Sequence, residues 1–241
     1  MTEHPPRETT RWSRRAAMAA LPALALTAAA CSSAEPSRSV DEVRHDAGPP
    51  PKAATPDQAI DVLMQGNARF ASHQPQIRDT ADIEVLWTEI VNGQEPFAIV
   101  LGCADSRLAP ELIFDQFVGD IFVVREAGNI AVSPTNLGSL EYGHAVLKAK
   151  ALLVLGHSSC GAVKAAYENQ SPGANIQAIV DAIKPGIAGA RDESDAIARN
   201  VSSAIAHVRS ASTLLNDAEK SGAFKIVGAV YDIRAATVRL L

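Results

Sequence analysis

The chain has 241 residues, 47% apolar and 20% charged, the proportions of an ordinary globular protein with material for one sizeable core. Its net charge of -5 argues against nucleic acid as the main partner, because a phosphate binder needs a basic face. Three cysteines are too few for a disulfide-stapled scaffold and call for another explanation.

Residues 1–15 are polar and carry Arg7, Arg11, Arg14 and Arg15, and residues 16–30 form an apolar run ending in small side chains. That order is the order of a secretory signal, and the run falls short of the roughly 20 residues a spanning helix needs. Ser13-Arg14-Arg15 resembles a twin-arginine signal, although Ala17 and Met18 stand where such signals often carry Phe and Leu. That pathway exports folded proteins, so a metal site can be loaded where thiols stay reduced. Cys31 directly follows Ala28-Ala29-Ala30, which resembles a lipoprotein cleavage site where the cysteine becomes a lipid anchor. The alternative is an ordinary cleavage site that precedes a cysteine. Residues 1–31 are therefore expected to be a signal segment, and the protein to be exported to the cell envelope, periplasmic or extracytoplasmic, as a membrane-anchored lipoprotein. Residues 32–54 carry no apolar period and include Pro49-Pro50-Pro51; they read as a disordered tether.

The folded domain is expected over 55–241. Thr55-Pro56-Asp57-Gln58 reads as a helix start with a capping box, and Ile60, Leu63 and Met64 follow at helical spacing. Residues 97–102, 121–124, 151–156 and 224–230 are apolar runs without polar alternation, as in strands covered on both faces. Helical patterns lie around 81–91, 135–148, 160–168 and 191–218. This alternation predicts an α/β fold, with a central, mostly parallel four-stranded sheet flanked by helices. Residues 237–241 add an antiparallel edge strand near the C-terminus. Sites in such sheets form past the carboxyl ends of the strands. The first strand ends at Cys103 and the third at His157, so the architecture alone brings these two together.

His157-Ser158-Ser159-Cys160 puts an imidazole and a thiol on one side of a single turn. Two thiolates and an imidazole, from Cys103, His157 and Cys160, suit Zn(II) by softness and tetrahedral preference. Three protein ligands leave one position open, as in a catalytic rather than a structural zinc. Two alternatives stand beside this: each cysteine as a small buried hydrophobe, or a disulfide between Cys103 and Cys160. Asp105 and Arg107 follow the first ligand. A carboxylate there can orient a metal-bound water or take the open position itself, and a bidentate guanidinium holds it away from the metal. The alternative is a surface ion pair worth about 0–1 kcal/mol. His73, His144 and His207 read as surface or satisfied helix residues.

Cys103-x-Asp105-x-Arg107 followed by His157-x-x-Cys160-Gly161 resembles the signature of the β-class carbonic anhydrases. Further segments fit the same family: Gly66-Asn67-Ala68-Arg69-Phe70; Gly119-Asp120-Ile121-Phe122-Val123-Val124-Arg125; Ala127-Gly128-Asn129; Gly138-Ser139-Leu140-Glu141-Tyr142; and Tyr231-Asp232. The resemblance covers residues 56 to 241. It implies one Zn(II) per subunit on Cys103, His157 and Cys160, with Asp105 and Arg107 as the catalytic dyad. It also implies a substrate pocket of Gln94, Phe122, Ala127 and Tyr142, as in the plant-like branch, with the Gly161 amide facing substrate. Homodimers or homotetramers are expected, the pocket being partly built by the second subunit. The implied reaction is reversible hydration of carbon dioxide to bicarbonate and a proton by a zinc-bound hydroxide. Rival readings are a carbonyl sulfide or carbon disulfide hydrolase on the same scaffold, and a non-catalytic envelope zinc-binding protein. Glu126 departs from the family pattern. Val100 stands where the branch inhibited by bicarbonate carries Trp, so inhibition of that kind is not expected.

Overall fold

A computed structural model describes residues 53–76, 84, 87, 88 and 90–241. The signal segment, Cys31, nearly all of the tether and much of the helix expected over 81–91 lie outside the described residues. Helix α1 (Pro56–Ala71) opens as its sequence requires. The Gln58 amide donates to Thr55 Oγ1 at 3.2 Å, and the Thr55 amide donates to Gln58 Oε1 at 3.2 Å. Two donors that a helix start would leave orphaned are thereby satisfied. Gly66 lets α1 lie against the turn after α2 (Pro110–Ile113), because a Cβ there would stand 1.7 Å from the Phe114 carbonyl oxygen.

The sheet has the order β2-β1-β3-β4-β5. Strands β1 (Ala98–Gly102), β2 (Ile121–Arg125), β3 (Ala151–His157) and β4 (Lys225–Asp232) are parallel, and β5 (Thr237–Leu240) runs antiparallel along β4. This is the expected fold class, a mostly parallel sheet with an antiparallel edge. All of β1 and β3 is buried. Ala98, Val100, Leu153 and Leu155 pack into the core that contains α1, whereas Ile99, Leu101, Leu152 and Val154 pack into the core on the other face. Two covered faces leave no position for a polar residue, which is why these strands read as unbroken apolar runs.

Helix α3 (Pro134–Ala145) joins β2 to β3. Helices α4 (Gly161–Tyr167), α5 (Ala174–Ile183), α6 (Glu193–Ala211) and α7 (Thr213–Lys220) fill the connection from β3 to β4. The single helical pattern expected over 191–218 is two helices. Ser212 leaves helical geometry at φ -115° and ψ 100°, accepts the Leu215 amide at 3.2 Å and donates to Glu141 at 2.6 Å. Helices α2 and α5 carry no side-chain cap at their starts, and neither was expected.

Candidate metal centre

Strands β1 and β3 are neighbours, with Gly102 in register with Leu155. Cys103 leaves the end of β1 next to the end of β3, where His157 is the last residue. The loop after β1 is held by Arg125, the register partner of Gly102. Its Nε donates to the Cys103 carbonyl at 3.0 Å and its Nη2 to the Asp105 carbonyl at 2.6 Å. After β3, Ser159 turns the chain at φ 56° and Cys160 occupies the N-cap of α4. Ser158 ties that turn to β4: its amide donates to the Tyr231 carbonyl at 2.9 Å, and its hydroxyl accepts the Ile233 amide at 3.0 Å.

The donor atoms of Cys103, His157 and Cys160 lie within 4.8 Å of one another, and all three residues are buried. His157 Nδ1 is 3.0 Å from the Ser158 carbonyl, which can only accept, so Nδ1 carries the proton. Nε2 is left as a buried lone pair without a hydrogen-bond partner. The Cys160 thiol beside Cys103 pulls the latter's pKa down, against burial, and the Gly128 amide adds to the fall, to about 4. Cys103 and burial together push the Cys160 thiol up. Two buried sulfurs therefore contend for one negative charge, and a dication between them is what lets both ionise. An orphaned imidazole nitrogen and two such sulfurs fit a soft, tetrahedral cation.

Asp105 and Arg107 form the expected bidentate pair. Arg107 Nε donates to Oδ1 at 2.9 Å, Nη2 to Oδ2 at 2.6 Å, and the Arg107 backbone amide to Oδ1 at 2.9 Å. Nη2 also reaches the Ser159 carbonyl at 3.2 Å, so the pair is anchored to the turn that carries Cys160. The guanidinium holds the Asp105 carboxyl well below the usual carboxylate range.

The expected pocket residues divide into two groups. Gly161 opens α4 with free space where a Cβ would stand. Ala127 starts the 3₁₀ turn Ala127–Asn129 after β2, and the next residue, Gly128, donates its amide to Cys103 Sγ at 3.3 Å. These two belong to the metal end. Phe122 is in register with Ile99 near the start of the sheet, and its ring centroid is 6.1 Å from that of Tyr142 on α3. Gln94 precedes β1 and lines a cavity of about 400 Å³ with Val146 and Lys148. Gln94 precedes β1 whereas Cys103 follows it, so the strand, roughly 16 Å long, lies between them in the chain, and Phe122 sits three residues before the end of β2. Glu126, whose charge fitted no expected role, accepts the Asn136 side-chain amide at 3.3 Å in the first turn of α3, where a carboxylate suits the helix dipole.

Sequence reasoning assigned no role to Arg125 or Asn200. Asn200 is buried on α6 and donates to the Gly128 carbonyl at 2.8 Å. The signal for it was an amide on the apolar face of an amphipathic helix, beside Ile197, Val201 and Ala204.

An imidazole and two sulfurs converging where parallel strands end, with a clamped carboxylate beside them, define an α/β protein with a candidate enzyme-type metal site. The family model described as "Carbonic anhydrase" matches residues 98–238. The chain is 37% identical over 196 residues to a carbonic anhydrase of Mycolicibacterium smegmatis, covering 78% of this chain and 94% of that one. It is 36% identical over 187 residues to carbonic anhydrase 2 of Mycobacterium tuberculosis, covering 74% and 89%. Among solved structures, the β-carbonic anhydrase of Coccomyxa in complex with acetazolamide superposes with a TM-score of 0.59 at 25% identity, covering 74% of this chain and 84% of that one. One of two tetrameric β-carbonic anhydrases from Sordaria macrospora shares the fold with a TM-score of 0.61 at 22% identity, covering 76% and 96%. The chain belongs to the β-class carbonic anhydrases.

Proposed function

We propose that the protein catalyses the reversible hydration of carbon dioxide to bicarbonate and a proton, with one Zn(II) per subunit on Cys103, His157 and Cys160. The observation that carries the reading is the buried three-donor cluster beside a carboxylate that a guanidinium holds by both oxygens. Zinc bound there supplies a Lewis acid that lowers the pKa of water to about 7. Arg107 fixes the direction of Asp105 and keeps it from the ligand position the three donors leave open. Asp105, ionised throughout the working range, accepts a hydrogen bond from a water or bicarbonate O–H and so orients that oxygen. The Gly161 amide opens α4 towards substrate, and Ala127 supplies an apolar wall.

Gln94, Phe122 and Tyr142 serve a second copy of the chain in this reading. Val118, Val132, Tyr142 and Val146 are exposed apolar side chains around the β2 side of the sheet, a surface suited to burial in a homodimer. Two such dimers give the homotetramer form. The chain is exported to the cell envelope in this proposal, with Cys31 as lipid anchor; the order of charged, apolar and small residues in 1–31 supports it. Intact mass of the membrane-extracted protein tests that part, and a mature chain without acyl groups overturns it. The bidentate hold on Asp105 favours an open site over a non-catalytic zinc protein. Carbonyl sulfide and carbon disulfide are the competing substrates on this scaffold. Metal analysis combined with a stopped-flow pH-indicator assay on all three substrates tests the function. Zinc-free protein without hydration activity overturns it.

A further inference from the structure

We propose that Asn200 is a positioning residue of the metal centre, holding the Gly128 turn so that its amide stays on the Cys103 sulfur. This rests on the metal reading above. Asn200 is 3% exposed and lies on the face of α6 that otherwise buries Ile197, Val201 and Ala204. A leucine would suit that apolar stripe, and a buried amide is costly unless it is bonded. Asn200 meets that requirement across the fold. Its Nδ2 donates to the Gly128 carbonyl at 2.8 Å and stands 3.5 Å from Asn129 Oδ1.

The turn it reaches needs an outside hold. Gly128 and Asn129 both have positive φ, 73° and 47°. Consecutive left-handed residues persist only where the surroundings over-determine them. A Cβ on Gly128 would stand 2.7 Å from Ile183 Cδ1 and 3.3 Å from Ala162 Cβ, so α5 and α4 press on the turn. Asn200 secures its carbonyl from α6. The Gly128 amide is then directed at Cys103 Sγ, at 3.3 Å. An N–H donated to a metal-ligating sulfur withdraws charge from it and fixes its direction, which is how outer partners tune a metal site.

The test uses purified full-length protein loaded with Co(II) or Zn(II). The readouts are the sulfur-to-cobalt charge-transfer band and zinc affinity by chelator competition. Asn200→Leu is expected to move the band to lower energy and to weaken zinc by roughly tenfold. Val201→Ala removes a fully buried neighbour on the same helix and serves as the control for lost packing. It is expected to lower thermal stability while leaving band and affinity at wild-type values. An unchanged band and affinity in Asn200→Leu, or equal shifts in Val201→Ala, overturn the proposal. Should Asn200→Leu fail to fold, Asn200→Thr replaces it; its short hydroxyl cannot span to Gly128, so the same band shift is expected, and a wild-type band overturns the proposal. Wild-type protein that takes up neither metal overturns the metal reading itself. Loaded wild type with unaltered variants overturns this inference alone.

Discussion

Cys103 and Cys160 share one environment, and the residues around them decide what it holds. Cys103 is drawn down to about 4, chiefly by the Cys160 thiol, and Cys160 is pushed up in return. Removing one sulfur leaves the remaining two donors too few for a closed grip on a dication. Cys160→Ala is therefore expected to lose zinc and hydration together, read by metal analysis and stopped-flow assay on the same preparation. Arg107→Ala acts differently, because the three donors stay. The guanidinium is the main cause of the lowered Asp105 carboxyl, so its loss is expected to raise that pKa towards 3.8, followed by carbon-13 NMR titration. The freed carboxylate can then swing onto the open ligand position, and hydration is expected to fall by roughly ten- to a hundredfold. The dyad was legible because an acid and an arginine two residues apart, directly after a ligand, leave few other uses. Arg125 and Asn200 were not, because a strand-end arginine and a mid-helix asparagine gain meaning only through register and crossing geometry.

At the level of elements, Gly66 and Asn67 act in sequence. The glycine brings α1 within touching distance of the turn after α2, and the asparagine then uses the space. Its Nδ2 donates to the Ile113 carbonyl at 3.1 Å and the Ala236 carbonyl at 3.0 Å, while Oδ1 accepts the Val238 amide at 2.7 Å. One buried side chain thus joins the first helix, the end of α2 and the last strand with the turn before it. Asn67→Ala leaves these backbone groups without partners, at about 1–3 kcal/mol for each that stays buried. A loss of about 3 kcal/mol is expected in urea unfolding, with an unchanged m-value if the denatured state is unaltered. The start of α1 was readable from Thr55 and Gln58 because a capping box is a local device. The break at Ser212 was not, since its hydroxyl, besides capping Leu215, is bonded to Glu141, a partner 71 residues away on α3.

For the whole molecule, Gln94 and Phe122 lie toward the starts of the parallel strands, whereas Ala127 and Gly161 lie past their ends. Which segments form strands, and that their faces are covered, was readable in advance, because strands covered on both faces leave unbroken apolar runs; the order of the strands was not. The family resemblance implied a pocket partly built by the second subunit, but spacing along a chain does not say which residues serve which copy. A two-fold dimer in which each chain offers Gln94, Phe122 and Tyr142 to its partner's metal makes a prediction that a self-sufficient chain does not. Gln94→Ala and Cys160→Ala homodimers each carry only impaired sites. In a mixed dimer, the Cys160→Ala chain still offers its Gln94, and the Gln94→Ala chain still holds its metal. Those two groups meet at one site, which is intact. Mixed dimers isolated through two different affinity tags are therefore expected to recover hydration well above either parent. If Gln94 serves the cluster of its own chain, every site in the mixture keeps one defect and mixing recovers nothing. The Glu126–Asn136 contact offers a control, since Glu126→Gln disturbs the head of α3 within one chain and its effect should be the same whichever partner it is paired with.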